Sequence, residues 1–263
     1  MNTLEIVHVS DLHAALPVEP LPWADIYFVT GDILPNFPVV LYEAASGSVV
    51  EWCPNDWAVG VGPQGPHPSG YRIGRRIESS RESELQKRWI ARNRGRIVVE
   101  NRHAPIMCVR GNHDFTSFVD LFDTAVVPTD AVDDIFPTRD IVCGLRVVLM
   151  RGVPPINGDW ADEADEVTLA QRTRTIGDDV DILATHSPPR GILDDVAPNN
   201  RLGMLALSSY VTQRMTLDGP RHPRRLRAHL FGHIHERGGQ VVTIDGTIFS
   251  NAATRVNSFV IEV

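Results

Sequence analysis

Five short blocks of carboxylate, imidazole and amide side chains occur in order along the chain, each directly after an apolar run. They are Asp11-Leu12-His13 after Leu4–Val9, Gly31-Asp32 after Asp25–Thr30, and Gly111-Asn112-His113-Asp114 after Ile106–Val109. Thr185-His186 after Ile182–Ala184 and Gly232-His233-Ile234-His235 after His229–Phe231 complete the series. Singly, each block has a plain structural explanation. A strand-end Asp caps a turn, Gly-Asn is a turn dipeptide, and a lone His is a satisfied core side chain. Together they hold two carboxylates (Asp11, Asp32), four imidazoles (His13, His186, His233, His235) and the amide oxygen of Asn112. That is too many donors for one tetrahedral zinc. It suits two divalent cations about 3.5–4 Å apart with a carboxylate between them. Nitrogen and oxygen donors without thiolate favour Mn, Fe, Zn, Ni or Co over copper(I) or iron–sulfur clusters.

The elements that must position these donors are legible as well. The apolar runs before the blocks, with Arg146–Met150, read as buried strands, because parallel strands covered on both faces are continuously apolar. Helices are expected over Glu82–Asn93 around Leu85, Trp89 and Ile90, over Ala161–Ile176, and over Leu202–Met215. The segments Gln240–Ile244, Thr247–Ser250 and Ser258–Val263 read as strands, with Asp245-Gly246 as a hairpin turn. Thr138–Met150 adds further antiparallel pairing. Strands alternating with helices predict a layered α/β fold. The expectation is a four-layer α/β/β/α sandwich of two mixed β-sheets flanked by helices, in one domain spanning 1–263. Sites in such folds lie beyond the carboxyl ends of the strands. Residues i and i+2 of an extended segment share a side, so Asp11 and His13 face one point, as do His233 and His235. Glycines beside Asp32, Asn112 and His233 allow tight turns there.

Composition narrows the function classes. The 263 residues carry a net charge of −8, and 24 of the 25 basic residues are arginine, Lys87 being the exception. Gly70–Arg110 holds 11 basic and 4 acidic residues, a local +7, which leaves −15 for the rest. The stretch 46–80 is rich in Gly and Pro and reads as a long functional loop or insertion. Its aromatics Trp52, Trp57 and Tyr71 are candidates for stacking on a base. Three cysteines (Cys53, Cys108, Cys143) lack C-x-x-C spacing, which argues against a disulfide framework and suggests a reducing, cytoplasmic setting. The N-terminus lacks the pattern of a signal peptide, and no apolar run reaches membrane-spanning length.

The order and spacing of the five blocks resemble those of the calcineurin-like metallophosphoesterases. Two details are similar to the subgroup of metallophosphoesterase-domain-containing proteins, whose better-known members hydrolyse phosphodiesters, cyclic nucleotides included. One is Thr185-His186-Ser187-Pro188-Pro189 followed by Leu193-Asp194. The other is Phe231 to Glu236 followed by Asn251. The resemblance implies that Asp11, His13 and His235 hold one metal, that Asn112, His186 and His233 hold a second, and that Asp32 bridges them. His113 would sit beside the substrate phosphate without binding metal. The chain departs from the family where Ile33–Ser80 replaces a direct passage into a helix.

The activity so implied is hydrolysis of a phosphodiester or nucleotide-type ester by a metal-bridging hydroxide, formed because the cations lower the pKa of bound water. The metals would be two of Mn, Fe, Zn, Ni, Co or Mg, with Mn favoured. His113 would stabilise phosphoryl charge and protonate the leaving oxygen. Asp114 would orient His113 or lie exposed in a turn, and Arg110 would contact phosphate. Candidates to support the ligand imidazoles from behind are Thr185, Asp25 and Glu236. A nuclease is the alternative suggested by the +7 segment and by Arg221, Arg224, Arg225 and Arg227. Nucleic acid is the less favoured partner because the whole chain is acidic. A phosphoprotein phosphatase and a non-catalytic metal-binding module are further alternatives. The arginine motifs that serve phosphomonoesters in the former are not evident after Asp32.

Overall fold

A computed structural model describes residues 2–36, 39–43, 49–52, 71–73, 79–126, 129–130, 137–156, 160–216 and 226–263, with 39–43, 49–52 and 71–73 as backbone only. From the N-terminus run β1 (Thr3–Val9), β2 (Ile26–Val29), β3 (Val39–Glu43), β4 (Val49–Trp52) and β5 (Tyr71–Ile73). Helix α1 (Ser79–Arg92) leads into β6 (Ile97–Val98), β7 (Ile106–Cys108), β8 (Phe122–Asp123), β9 (Thr129–Asp130), β10 (Thr138–Val142) and β11 (Leu145–Met150). After α2 (Glu166–Arg174) come β12 (Ile182–Thr185), β13 (Asp195–Ala197) and β14 (Asn200–Arg201). Helix α3 (Leu205–Thr216) precedes β15 (Ala228–Phe231), β16 (Gln240–Ile244), β17 (Thr247–Asn251) and β18 (Val256–Glu262).

Two mixed sheets carry the architecture. One has the order β18-β1-β2-β7-β9 and the other β10-β11-β12-β15-β17-β16. In each, the inner strands are parallel and an edge strand is antiparallel. Three apolar layers follow from the period-2 alternation of strand side chains. Ile6, Phe28 and Met107 meet Val147, Leu149, Ile182 and Leu230 between the sheets. Val7, Val9, Tyr27, Val29 and Cys108 face the other way, with Trp89 and Ile90 of α1. Val148, Met150, Leu183 and Phe231 pack under Leu169 of α2 and Leu207 and Val211 of α3. This is the expected α/β/β/α sandwich. Asp245 and Gly246 have φ of 47° and 73°, the two left-handed positions of a type I′ hairpin.

Three expectations change. Residues 161–164 do not join α2. Asp165 caps that helix by accepting from Thr168 N at 2.7 Å, and Val153 and Glu163 form a bridge upstream. Within 46–80, β4 and β5 flank β3 in a three-stranded antiparallel sheet, and α1 starts at Ser79; the remainder of 46–80, with Trp57, lies outside the described residues. Helix α1 buries Glu82, Gln86 and Ile90 rather than Leu85. The inner face is thus an i, i+4, i+8 stripe whose first two members are polar, and the loops beneath Gln86 carry backbone groups that need partners. Gln86 Nε2 donates to the carbonyls of Pro35 (3.1 Å) and His113 (2.6 Å), and its Oε1 accepts from Phe115 N at 2.8 Å.

Candidate metal centre

The blocks follow strands β1, β2, β7, β12 and β15 and meet at the carboxyl ends of the parallel strands. Their backbone is not extended there. Asp11, His13, Asp32 and His233 have φ of 54°, 43°, 54° and 67°. Asp11 and His13 therefore converge through a left-handed turn, not through strand alternation. The turns lie almost in contact. A Cβ on Gly111 would come 2.1 Å from Asp32 Oδ1, and one on Gly232 would come 2.1 Å from Asp11 Oδ2.

Two donor groups result. Asp11, His13 and His235 form one, and Asp32, His186 and His233 the other, with the donor atoms of each within 4.8 Å of one another. His233 and His235 thus face different groups, against the expectation that they share one point. In the first group His235 Nε2 lies 3.0 Å from Asp11 Oδ1 and 3.4 Å from His13 Nε2. In the second, His186 Nε2 lies 3.2 Å from Asp32 Oδ2 and 3.1 Å from Asn112 Oδ1. His186 Nδ1 donates to the Thr30 carbonyl at 2.7 Å. This leaves the Nε2 lone pair of a neutral ring aimed at two oxygen lone pairs. Such a convergence needs a positive charge at its centre, so the donor set fits divalent metal.

Electrostatics give the same answer. Burial pushes the Asp11 carboxyl up, but the His235 hydrogen bond and the charge of His186 bring it down to about 2. Asp32 is likewise held well below the usual carboxylate range; burial opposes this, and His186 and His113 override it. Burial disfavours a charged His186, yet Asp32 lifts it to about 10. A metal in place of that proton satisfies the same lone pairs. Burial lowers His233 to about 4 and His113 to about 3.

His113 stands at the rim of the pair. Its Nε2 is 3.7 Å from Asp32 Oδ2, its ring centroid is 4.9 Å from that of His13, and its backbone N donates to Asp32 Oδ1 at 2.8 Å. Its Nδ1 is paired with Asn36 Oδ1, a partner that no sequence pattern signalled. Trp160 packs on the same ring at a centroid distance of 4.1 Å.

Asp114 is not exposed. It is fully buried, and its carboxylate accepts from the backbone N of Asp32 (2.6 Å), Ile33 (3.0 Å), Leu34 (3.0 Å) and Gly111 (3.0 Å). It clamps the Gly-Asp turn to the Gly-Asn-His turn, and the His113 imidazole is oriented by Asn36 instead. Burial lowers the Arg110 pKa, and its charged surroundings are Arg151, Asp162, Asp130 and Asp114 rather than the donor carboxylates. Thr185 Oγ1 serves Ser187 O and His229, and Asp25 serves Glu5 N, so neither backs a ligand imidazole. Asn251 donates to the Ile234 carbonyl at 3.0 Å and so pins the loop between His233 and His235.

The fold is a two-sheet α/β/β/α sandwich whose strand ends bring together two groups of candidate metal donors. Residues 4–237 match the calcineurin-like phosphoesterase family, and the chain belongs to it. Family membership supports metal-dependent hydrolysis of phosphoester bonds. The chain is also similar to metallophosphoesterase domain-containing protein 1 of Homo sapiens and of Mus musculus. Each is 40% identical over 80 residues, which cover 30% of this chain and 21% of the relative. Among the described residues no helix is long and apolar enough to cross a membrane.

Proposed function

We propose that the chain is a binuclear phosphodiesterase acting on small diesters or nucleotide-type esters. The observation that carries this is the adjacency of two complete donor groups with His113 at their shared rim. Asp11, His13 and His235 would hold one cation, His186, His233 and Asn112 the other, and Asp32 would serve both. When bound, such a pair supplies Lewis acidity and a water acidified toward neutral pH, with Mn the favoured metal. The protein holds its donors in one orientation through Thr30 O, Asn251 and Asp114. Asn36 fixes the His113 ring and leaves Nε2 facing the centre. Burial keeps that ring neutral at rest, and the negative charge of a bound ester favours its protonation, so the proton is ready for the leaving oxygen.

The nearby cations support a singly charged diester over a dianionic monoester. Arg151 makes a two-point pair with Asp162, and Arg110 has acidic neighbours in Asp162 and Asp130. Much of the +7 segment is paired too, which weakens the case for a nucleic-acid track. Arg81 and Arg88 meet Glu84, Arg94 meets Asp120, and Arg102 meets Asp123. Arg227 meets Asp181, while Arg221, Arg224 and Arg225 lie outside the described residues.

Metal analysis followed by a Mn-supplemented panel tests this reading. The panel holds a phosphomonoester, bis-p-nitrophenyl phosphate, 2′,3′-cyclic AMP and single-stranded DNA. Two equivalents of metal with the small diesters turned over fastest is the expected result. Monoester-only turnover, or two bound metals without turnover of any ester, overturns it.

A further inference from the structure

We propose that Trp160 is the platform of a leaving-group subsite that takes a planar aromatic group, such as a nucleobase, by stacking. The inference rests on the phosphodiesterase reading and names the substrate feature that it leaves open.

Trp160 belongs to the connection between β11 and α2, and that connection is held at both sides of the ring. Ala161 N donates to Asn112 O at 2.9 Å, Val153 N to Asp162 O at 3.1 Å, and Ala164 N to Val153 O at 3.1 Å. Arg151 Nε donates to Asp162 Oδ2 at 2.8 Å, and Nη2 completes the fork. The side chains of this ion pair are 14% exposed each, so the anchor is shielded from water. The indole is therefore placed by the same strand end that carries Asn112. It lies tilted by 51° against His113 and stays half-buried.

The position matters because His113 is the proton donor for the leaving oxygen. Whatever that oxygen is attached to must pass beside His113, and Trp160 offers an aromatic surface there. A half-buried, pre-positioned indole costs little ordering when a flat ring is laid on it. One base–aromatic stack contributes enough for about a ten-fold preference. A Trp that merely supported His113 would instead affect all esters alike.

The test uses two esters with the same reacting group, 2′,3′-cyclic AMP and the 2′,3′-cyclic phosphate of 1-O-methylribose, which lacks the base. With Mn-loaded protein, KM for the base-bearing ester is expected to be about ten-fold lower. Trp160→Ala should erase that difference while kcat/KM on the base-free ester and the metal content hold. Trp160→Phe should keep part of it. Binding of AMP against ribose 5-phosphate, measured by calorimetry, reads the same preference without turnover. Equal loss on both esters in Trp160→Ala, or no preference for the base in either measurement, overturns the proposal. If neither ester is cleaved but AMP still binds in a Trp160-dependent way, the phosphodiesterase reading fails and the stacking platform stands.

Discussion

Asp114 gives the sharpest separation between a positioning clamp and a group that acts on His113. Its two oxygens accept four buried backbone N–H groups from Asp32, Ile33, Leu34 and Gly111. Asp114→Ala removes every acceptor at once. One buried donor left without a partner costs about 1–3 kcal/mol. The cavity is polar, so water entering it recovers part of this. A second offset comes from charge. Burial and the Asp32 carboxylate push Asp114 up to about 7, so its removal relieves some repulsion. The net loss expected is about 3–4 kcal/mol, which lowers the melting temperature by about 6–16 °C. The drop should be larger with Mn bound, because the cation already cancels the Asp32 charge and leaves no repulsion to relieve. Asp114→Asn keeps one acceptor oxygen and should lose about half as much.

The assay is thermal melting at fixed metal concentration, since ligand binding alone shifts the midpoint, with turnover of a small diester measured in parallel. A melting temperature within about 2 °C of wild type, with turnover cut as deeply as in His113→Ala, would refute the clamp. It would return Asp114 to the role of orienting His113.

His113→Ala should cut turnover by about 10²–10⁴ with both metals retained; loss of metal in elemental analysis would make His113 a ligand instead. Asn36→Ala, which frees His113 Nδ1, should lower kcat by about ten-fold or more with KM little changed, and a KM effect alone would count against it. Asp11→Asn should bind one metal fewer, because its amide cannot accept from His233 N and face a cation with the same oxygen; two retained equivalents would contradict this. Buried His8, held at about 3 by burial, stays neutral when folded but charges near 6.5 when unfolded. The unfolded chain therefore binds the extra proton, and stability falls as pH drops from about 6.5 toward 3, by about 1.4 kcal/mol per pH unit. In chelated protein, His8→Gln should show a shallower slope over that window in denaturant titrations, and an identical slope would refute the assignment.

How much was legible in the sequence differs between strands and loops. The apolar runs gave the central parallel strands β1, β2, β7, β11, β12 and β15 within a residue or two, because a strand covered on both faces has few other compositions, whereas the short parallel strand β9 at Thr129–Asp130 carries no such run. The convergence of the candidate donors was legible for a related reason: they follow successive strands whose carboxyl ends the sheets bring together. Asn36, Gln86 and Trp160 were not legible. Asn36 and Gln86 bond to His113 and Trp160 packs on its ring across 77, 27 and 47 residues of chain, separations that no local sequence pattern signals. Helix α1 misled for the opposite reason. Its polar residues look like a solvent face, yet Glu82 is buried and Gln86 points inward to serve the backbone of Pro35, His113 and Phe115. The aromatics singled out for stacking, Trp52, Trp57 and Tyr71, sit in a stretch whose composition drew attention, while Trp160 lies in an unremarked connection.

The two carboxylates show why the arrangement tolerates so little change. Asp11 Oδ2 accepts from Ser10 Oγ at 2.6 Å and from His233 N at 2.9 Å, while its Oδ1 faces His235. Asp32 Oδ1 accepts from His113 N at 2.8 Å, while its Oδ2 faces His186 at 3.2 Å. In both, one oxygen ties the scaffold and the other serves the metal group. The scaffold bonds are needed because Asp11, His13, Asp32 and His233 all hold left-handed backbone, at about 1–2 kcal/mol each. The sum is a large fraction of the whole stability of an ordinary domain. A ligand that also secures the neighbouring turn offsets that strain at the point where it arises. With metal held as proposed, metal binding and local folding would be coupled through the same two side chains, and loss of metal should loosen the turns at Asp11 and Asp32 before it disturbs the sheets beneath them.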